Sequence, residues 1–296
     1  IIAGGTLISQ IWLWFHLGKY VKFVKPDRDG FLENIKPLII LFVPVIAVSL
    51  YKMMDKIMIG WVNKTELGYY EYAEKIIAIP MSIIEAIGVV MLPRISKILV
   101  SGGKEASKHL IQTSMKLNMV LAIAMAFGVA AISREFAPVF FGNEYTACSS
   151  LMIGLSVTIP FLSFANVLRK QFMIPMKMDR EYTIAVFCGA VVNLICNFIF
   201  IPKLYARGAM IGTIFAEIVV SAMHIYSCRK DLPVKTYITT LIPYLAVGFC
   251  MYQAVRFTAR IAGMSIVGLV LEVLVGGAVY LFLATVIFVL QKDKNF

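Results

Sequence analysis

Six charged side chains lie one helical turn apart in two neighbouring apolar segments. Each segment places three of them at positions i, i+3 and i+4, which share one face of an α-helix. They are Lys52, Asp55, Lys56, Glu71, Glu74 and Lys75. Ammonium groups in this arrangement could bind a phosphate, whereas the carboxylates could bind a cation or hold the lysines.

The chain that carries these charges is unusually apolar. Hydrophobic residues make up 60% of its 296 residues, and charged residues only 15%. We count about nine apolar runs of roughly 17 or more residues, the length that crosses a bilayer as an α-helix. The runs are 1–17, 37–61, 72–92, 117–132 with its flanks, 151–167, 182–201, 208–226, 237–255 and 265–290. The sequence therefore predicts an all-α, polytopic membrane protein.

Charged groups inside a membrane are costly unless they face water, a partner or a polar cavity. The six charges therefore either pair with one another in the outer headgroup zone or form a polar cavity wall in the outer half of the bilayer. We favour the cavity wall, because Met53 and Ile57 lie between the charges and suit a packed or lipid-facing side. Pro44, Pro80 and Pro160 lie inside predicted spans, where proline kinks a helix.

The basic residues are distributed unequally over the predicted connections. When the connections alternate between the two sides, 19 of the 28 Lys and Arg residues fall on one side and 9 on the other. By the positive-inside rule the richer side is cytoplasmic, which places the C-terminus inside a plasma or inner membrane. This asymmetry accounts for the net charge of +11, so we expect no nucleic-acid partner. Because the chain opens with Ile on an apolar run, we expect it to be cut inside a membrane helix.

Motifs of catalysis and of metal binding are absent from the sequence. We find no G-x-S-x-G, no P-loop and no cluster of His with carboxylates, and the five cysteines show no C-x-x-C spacing. We therefore expect a transporter rather than an enzyme, with no cofactor, no catalytic residue and no metal site.

A series of short motifs runs through residues 51–98. They are Asp55-Lys56, Ile59-Gly60, Glu66 with Gly68 and Tyr70, Lys75-Ile76, and the pentapeptide from Val90 to Arg94. In this order they resemble the seventh and eighth helices of bacterial oligosaccharide flippases of the polysaccharide biosynthesis (Wzx-like) family.

A second stretch, "NLICNFIFIPKLYARGAMIGTIFAEIVV", is similar to the eleventh and twelfth helices of the wider multidrug/oligosaccharidyl-lipid/polysaccharide exporter superfamily. The matching positions are Asn193, Asn197, Ile201-Pro202, Gly208-Ala209 and Glu217. Taken by themselves, the two asparagines lie one turn apart and could hydrogen-bond a neighbouring helix. Small residues recur at Gly208, Gly212 and Ala216. We interpret both features as packing devices, and Glu217 as a cavity residue or a partner of a basic side chain.

The resemblance covers about residues 19–230 and implies a fourteen-helix transporter with two six-helix lobes around a central cavity. In that frame residues 1–17 are the tail of a first-lobe helix, and 18–36 are a cytoplasmic linker between the lobes. Residues 37–230 are the second six-helix lobe, and 231–296 are two additional C-terminal transmembrane helices. Most of the first lobe is then missing from this chain.

The function implied by the resemblance is a flippase for undecaprenyl-diphosphate-linked oligosaccharide repeat units. It would move them to the outer leaflet by alternating access, for capsule, exopolysaccharide or O-antigen synthesis. Lys52, Lys56 and Lys75 are candidate diphosphate ligands, with Lys56 expected to face the cavity, and Arg94 and Arg169 are further candidates. The carboxylates of the two clusters could instead hold these lysines or bind a coupling sodium ion or proton. Expected partners are membrane lipids, the lipid-linked oligosaccharide, a polysaccharide polymerase and glycosyltransferases.

Three other functions stay open. A lipid II flippase would differ only in the headgroup that it carries. A cation-coupled multidrug antiporter of the same superfamily would need a cavity dominated by acidic and aromatic residues, and the lysines argue against it. A membrane-bound glycosyl- or acyltransferase would need a His or an acidic pair on a loop, which we do not find.

Overall fold

The computed structural model describes residues 2–17, 27–100 and 104–293, and nearly all of them are helical. The helices are α1 Ile2–Leu17, α2 Arg28–Val62, α3 Lys64–Val100, α4 Lys104–Phe141, α5 Cys148–Ser156, α6 Thr158–Leu168, α7 Asp179–Leu204, α8 Ala206–Cys228, α9 Val234–Ala262 and α10 Ile266–Asp293. A 3₁₀ turn, Asn143–Tyr145, follows α4, and a π-helical turn, Arg169–Met173, follows α6.

Seven helical segments in these ranges are long and apolar enough to cross a membrane, and Leu7–Leu17 is a shorter apolar segment. Every predicted apolar run lies on a helix within the described ranges, with 151–167 divided between α5 and α6. The prediction of an all-α, polytopic membrane protein is therefore confirmed.

The chain divides into two compact units, Ile1–Phe42 and Val43–Phe296. Of the predicted linker 18–36, residues 18–26 lie outside the described residues, and α2 already begins at Arg28. The division into lobe, linker and additional helices stays a prediction. Everything described below belongs to the unit Val43–Phe296.

The span formed by α5, α6 and the π-helical turn is not one regular helix. Pro160 has no N–H to donate to the carbonyl of Ser156, and the α-helix is interrupted between them, at Val157. The amide of Val157 instead donates to the carbonyl of Gly154 at 3.2 Å. Farther along, the amide of Ile174 donates to the carbonyl of Arg169 at 2.9 Å, five residues back. Such π-helical turns insert one extra residue and often occur at functional sites.

Helices α7 and α8 approach each other closely because α8 begins with small residues. A Cβ on Gly208 would lie 2.5 Å from the carbonyl carbon of Phe200. One turn later, a Cβ on Gly212 would lie 2.5 Å from Oδ1 of Asn197. The small-residue positions expected from the sequence therefore lie where the two helices touch.

Three connections meet at one end of the unit. The backbone amide of Ala206, at the start of α8, donates to Oε2 of Glu66 at 3.4 Å, near the start of α3. The rings of Tyr69 and Tyr145 stand edge to face with centroids 5.7 Å apart, which brings in the connection between α4 and α5. At the other end of the bundle, the guanidinium of Arg169 lies over the ring of Tyr182. The predicted assignment of the connections to the two sides of the membrane stays a prediction.

We expect Gly208→Ala to destabilise the protein, because its new methyl group would overlap backbone atoms, which cannot move aside as a flexible side chain can. Overpacking of this kind costs about 1–3 kcal/mol. The matched control is Gly277→Ala on α10, where a Cβ has no atom within 4 Å. That change should be neutral or stabilise the helix by roughly 0.5–1 kcal/mol. The measurement is the apparent Tm of the detergent-purified protein, and equal Tm values for the two variants would contradict the packing described here.

Candidate functional site

A cavity of about 360 Å³ lies among α2, α3, α5, α6 and α8. Five charged side chains line it among the described residues, and they are Asp55, Glu74, Lys75, Glu85 and Glu217. Tyr70, Thr158 and Thr213 contribute hydroxyl groups to the same wall. A polar wall on apolar membrane helices can solvate a polar or charged ligand that the surrounding hydrocarbon excludes.

One face of α3 forms the long side of this cavity. Its lining residues recur every three or four positions from Tyr70 through Glu74, Ala78 and Ser82 to Glu85. This is the repeat of one helical face, so the wall extends for about 22 Å along the helix at 1.5 Å per residue. The opposite side comes from α8, where Thr213 and Glu217 also lie one turn apart.

Asp55 is buried at the centre of a hydrogen-bond network that joins four helices. Tyr70 of α3 donates to its Oδ2 at 3.2 Å, and Thr213 of α8 donates to the same oxygen at 3.0 Å. Asn197 of α7 donates to Oδ1 through its side-chain amide. Asn193 accepts a second hydrogen bond from that amide at 3.0 Å. The carboxyl group of Asp55 therefore fixes how the ends of four helices meet.

Lys56 has a different environment from Asp55, although the two residues are adjacent. Its ammonium group pairs with Oε2 of Glu74 at 2.8 Å, and both side chains are about one-third exposed. On the neighbouring position of α3, the ammonium group of Lys75 lies 5.2 Å from the centre of the Tyr72 ring. Ion pairs with this much exposure contribute little to stability, typically about 0–1 kcal/mol.

The structure brings together some of the candidate residues and separates others. Asp55, Glu74, Lys75 and Glu217 line the cavity, and Lys56 lies beside it, on Glu74. The lining does not include Glu71, Arg94 or Arg169. Arg169 packs on Tyr182 at the other end of the bundle. Lys52 lies on α2, but its side chain is outside the described residues.

The lining includes residues that were not singled out as cavity residues from the sequence, among them Tyr70, Glu85 and Thr213, and Lys170 lies beside Glu85. Lys170 follows the end of α6 and donates to the backbone carbonyl of Glu85 at 3.4 Å. A signal for two of them was available. Glu85 continues the helical face that begins with Glu74, and Thr213 lies one turn before Glu217. Tyr70 was visible only as part of a motif, and nothing local indicates the long-range contact of Lys170.

A family model described as "Lipid II flippase MurJ" matches residues 2–288. The chain belongs to the MurJ family. The resemblance to flippases of the multidrug/oligosaccharidyl-lipid/polysaccharide exporter superfamily is thereby confirmed, with MurJ as the family that matches. The family description names a flippase, which is a transporter, so the expectation of a transporter rather than an enzyme is supported at the level of the family.

The relatives of this MurJ-family chain include flippases with different named cargoes. It is 24% identical over 214 residues to the probable low-salt glycan biosynthesis flippase Agl15 of Haloferax volcanii, covering 72% of the chain and 44% of that protein. It is 22% identical over 237 residues to the lipid II flippase MurJ of Bacillus subtilis, covering 75% and 43%. The chain therefore spans less than half the length of these curated relatives.

A solved structure shows the same fold. The lipid II flippase MurJ in an inward closed conformation superposes with a TM-score of 0.76 at 18% identity, covering 96% of this chain and 61% of that one. The similarity at this identity concerns the fold, so the cargo has to be argued from the residues of the site.

We expect Asp55→Ala to be far more destabilising than Lys56→Ala in the protein purified at full length. Removing the carboxyl group takes away the acceptor of Tyr70, Thr213 and Asn197. The two hydroxyl groups, 3.0 Å apart, can then bond each other, but one amide hydrogen of the buried Asn197 is left unsatisfied, and such a group costs about 1–3 kcal/mol. Removing the partly exposed ammonium group of Lys56 should cost about 1 kcal/mol or less.

The measurement is again the apparent Tm in detergent. Thr213→Val is a graded control, since it removes one donor and should fall between the two. Equal effects at positions 55 and 56 would show that Asp55 does not hold the helix ends together.

Proposed function

We propose that the full-length protein is a flippase that moves an undecaprenyl-diphosphate-linked oligosaccharide repeat unit to the outer leaflet. The observation that carries this proposal is the charged cavity wall formed by membrane helices of a MurJ-family chain. A sugar diphosphate cannot enter hydrocarbon, whereas its polyprenyl tail can stay there. A polar cavity open toward lipid lets one molecule satisfy both requirements.

The proposed mechanism is alternating access between two lobes. The wall described here belongs to one lobe, and a second lobe is needed to enclose the cargo and to open the cavity on either side of the membrane. For this reason the proposal concerns the full-length protein. We propose the plasma or inner membrane as its location, with the C-terminus in the cytoplasm, and a polysaccharide polymerase and glycosyltransferases as functional partners.

Lys75 is the proposed diphosphate ligand in this lobe. It is exposed on the cavity wall, and its ammonium group is free of any ion pair within 4 Å among the described residues. Lys56 is already paired with Glu74, so it would contribute only after that pair opens. Arg94 and Arg169 are proposed to meet the diphosphate at the cytoplasmic entrance, where the positive-inside pattern places them.

Asp55 is the proposed site of a coupling cation, and sodium fits its surroundings. The residues around it offer carboxylate, hydroxyl and amide oxygens, which are the ligands that hard cations prefer. Oδ1 of Asn197 is buried without a hydrogen-bond partner among the described residues. Turning that amide over would direct Oδ1 at Asp55, and the two oxygens could then approach each other only with a cation, or the proton of a neutral carboxyl group, between them. Proton coupling through the same carboxyl group is the alternative.

Lipid II is the second candidate cargo, and it is favoured by the description of the family model and by the name of the Bacillus subtilis relative. Both cargoes present a diphosphate and a polyprenyl tail. They differ in the headgroup, which carries a peptide in lipid II. The binding residues described here recognise the part that the two cargoes share.

Flipping by the full-length protein in proteoliposomes tests the cargo and the role of Lys75 together. We expect fluorescent undecaprenyl-diphosphate oligosaccharide to be flipped, and Lys75→Ala to reduce the rate by about tenfold, because a hydrogen bond to a charged group contributes about 1.5–3 kcal/mol. Lys75→Arg should retain part of the activity. Lys64→Ala, at the exposed start of α3, is the control and should flip normally.

Each outcome of this assay tests a different part of the proposal. Flipping of lipid II alone would replace the oligosaccharide proposal, and transport of cationic drugs alone would refute a flippase. Undiminished flipping by the Lys75→Ala variant would remove that residue from the binding site.

Binding of sodium can be measured without cargo. A ligand that binds the folded protein alone raises its stability, so we expect sodium chloride to raise the apparent Tm relative to choline chloride at equal ionic strength. Asp55→Asn should abolish the difference, while Lys56→Ala should keep it. Equal Tm values in the two salts for the unmodified protein would exclude a sodium site at Asp55.

A further inference from the structure

A second cavity, of about 410 Å³, lies on the side of the unit where α9 and α10 pack against α3 and α4. Its wall is made almost entirely of aliphatic side chains and glycines. Among the described residues that line it, Glu272 of α10 is the only charged one. Tyr280 is also present, but its hydroxyl group donates to the backbone carbonyl of Val120 at 2.6 Å and is therefore satisfied.

Glu272 is fully buried, and neither of its carboxyl oxygens has a hydrogen-bond partner among the described residues. This is an unusual position for an acidic residue in a membrane helix. Isolated carboxylates in hydrocarbon are costly, and buried polar groups are nearly always hydrogen-bonded. No hydrogen bond from a described residue therefore neutralises Glu272.

The nearest charges belong to a separate ion pair. Arg256 of α9 donates to Oε2 of Glu135 at 2.6 Å and to the backbone carbonyl of Ala131 at 3.1 Å. The charges of both Glu135 and Arg256 act on Glu272. The part of α3 that lines this cavity, from Ile79 to Ile83, contributes no titratable side chain. One guanidinium thus lies near two carboxyl groups, and Glu135 is the one that it binds.

The composition of the wall decides what can neutralise Glu272. A hard metal ion needs about six oxygen ligands, whereas the side chains of the described lining offer only the two oxygens of Glu272 and the hydroxyl group of Tyr280, which is already bonded. An amine or guanidinium from a ligand would also need further acceptors. A proton needs one oxygen and leaves a neutral acid that fits apolar surroundings.

We propose that Glu272 is a proton-binding site in the membrane interior, facing the apolar cavity between α3, α4, α9 and α10. When Glu272 carries this proton it is neutral, and the guanidinium of Arg256 pairs with Glu135 alone. Loss of the proton creates a second carboxylate that competes for the same guanidinium and draws α10 toward α9. The site is distinct from the cavity around Asp55, and it does not depend on the cargo proposed above.

The proposal can be tested on the full-length protein with dicyclohexylcarbodiimide, an apolar reagent that modifies protonated carboxyl groups. The acid O–H adds across one C=N bond of the reagent. The carboxyl oxygen bonds to carbon and the proton moves to nitrogen, after which the adduct rearranges to a stable N-acylurea. Peptide mass spectrometry then reports which carboxyl group has reacted in the unmodified sequence.

We expect modification of Glu272 at about pH 6, falling by up to about tenfold per pH unit once the acid is mostly ionised. Glu135 provides the internal control, since its Oε2 accepts a hydrogen bond from the guanidinium of Arg256 at 2.6 Å, and it should stay unmodified. Glu272→Gln should lose the adduct. In the infrared spectrum, the same variant should lose the carbonyl band of one protonated carboxyl group.

Two results would overturn the proposal. The first is a Glu272 that remains unmodified at every pH together with an infrared spectrum that Glu272→Gln leaves unchanged. The second is protection of Glu272 by sodium ions at constant pH, which would make the site a metal site.

Discussion

A carboxyl group buried among membrane helices has to obtain its hydrogen bonds from the protein, and Asp55 obtains them from three helices other than its own. Because only 3% of Asp55 is exposed, solvent cannot readily take the place of these donors. The positions of α3, α7 and α8 relative to the end of α2 therefore follow from one side chain. The absence of a side chain at Gly212 is part of the same constraint, since it leaves the space that Asn197 occupies.

The charge balance of the cavity around Asp55 links its two proposed ligands. Its described lining contains four carboxyl groups and one ammonium group. Lys56, which lies beside the cavity, neutralises one of these carboxyl groups through its ion pair with Glu74. A cation at Asp55 would compensate another, and the wall would then repel an anionic diphosphate less. Under the proposed function, cation binding and cargo binding therefore favour each other through electrostatics alone, without direct contact.

The sequence was sufficient for the class of fold and for part of the site. Apolar runs locate the helices because the thickness of the bilayer fixes their length, and helical spacing predicted that Asp55, Glu74 and Lys75 lie on faces that meet. The sequence did not show that the adjacent residues Asp55 and Lys56 would have such different surroundings. The surroundings of Asp55 depend on contacts with α7 and α8, more than 130 residues away. The pairing of Lys56 with Glu74 also depends on the relative rotation of two helices, which periodicity leaves undetermined.

The ion pair between Arg256 and Glu135 links α9 to α4. Helices α9 and α10 follow the predicted six-helix lobe, and a chain shortened to end near residue 230 would retain every residue of that lobe. Glu135 lies on α4, inside the lobe, and its side chain is only 8% exposed. Removing the partner of a buried ion pair costs about 3–5 kcal/mol. The predicted lobe would thus not be autonomous, since among the described residues the only ion-pair partner of Glu135 lies on a helix beyond its boundary.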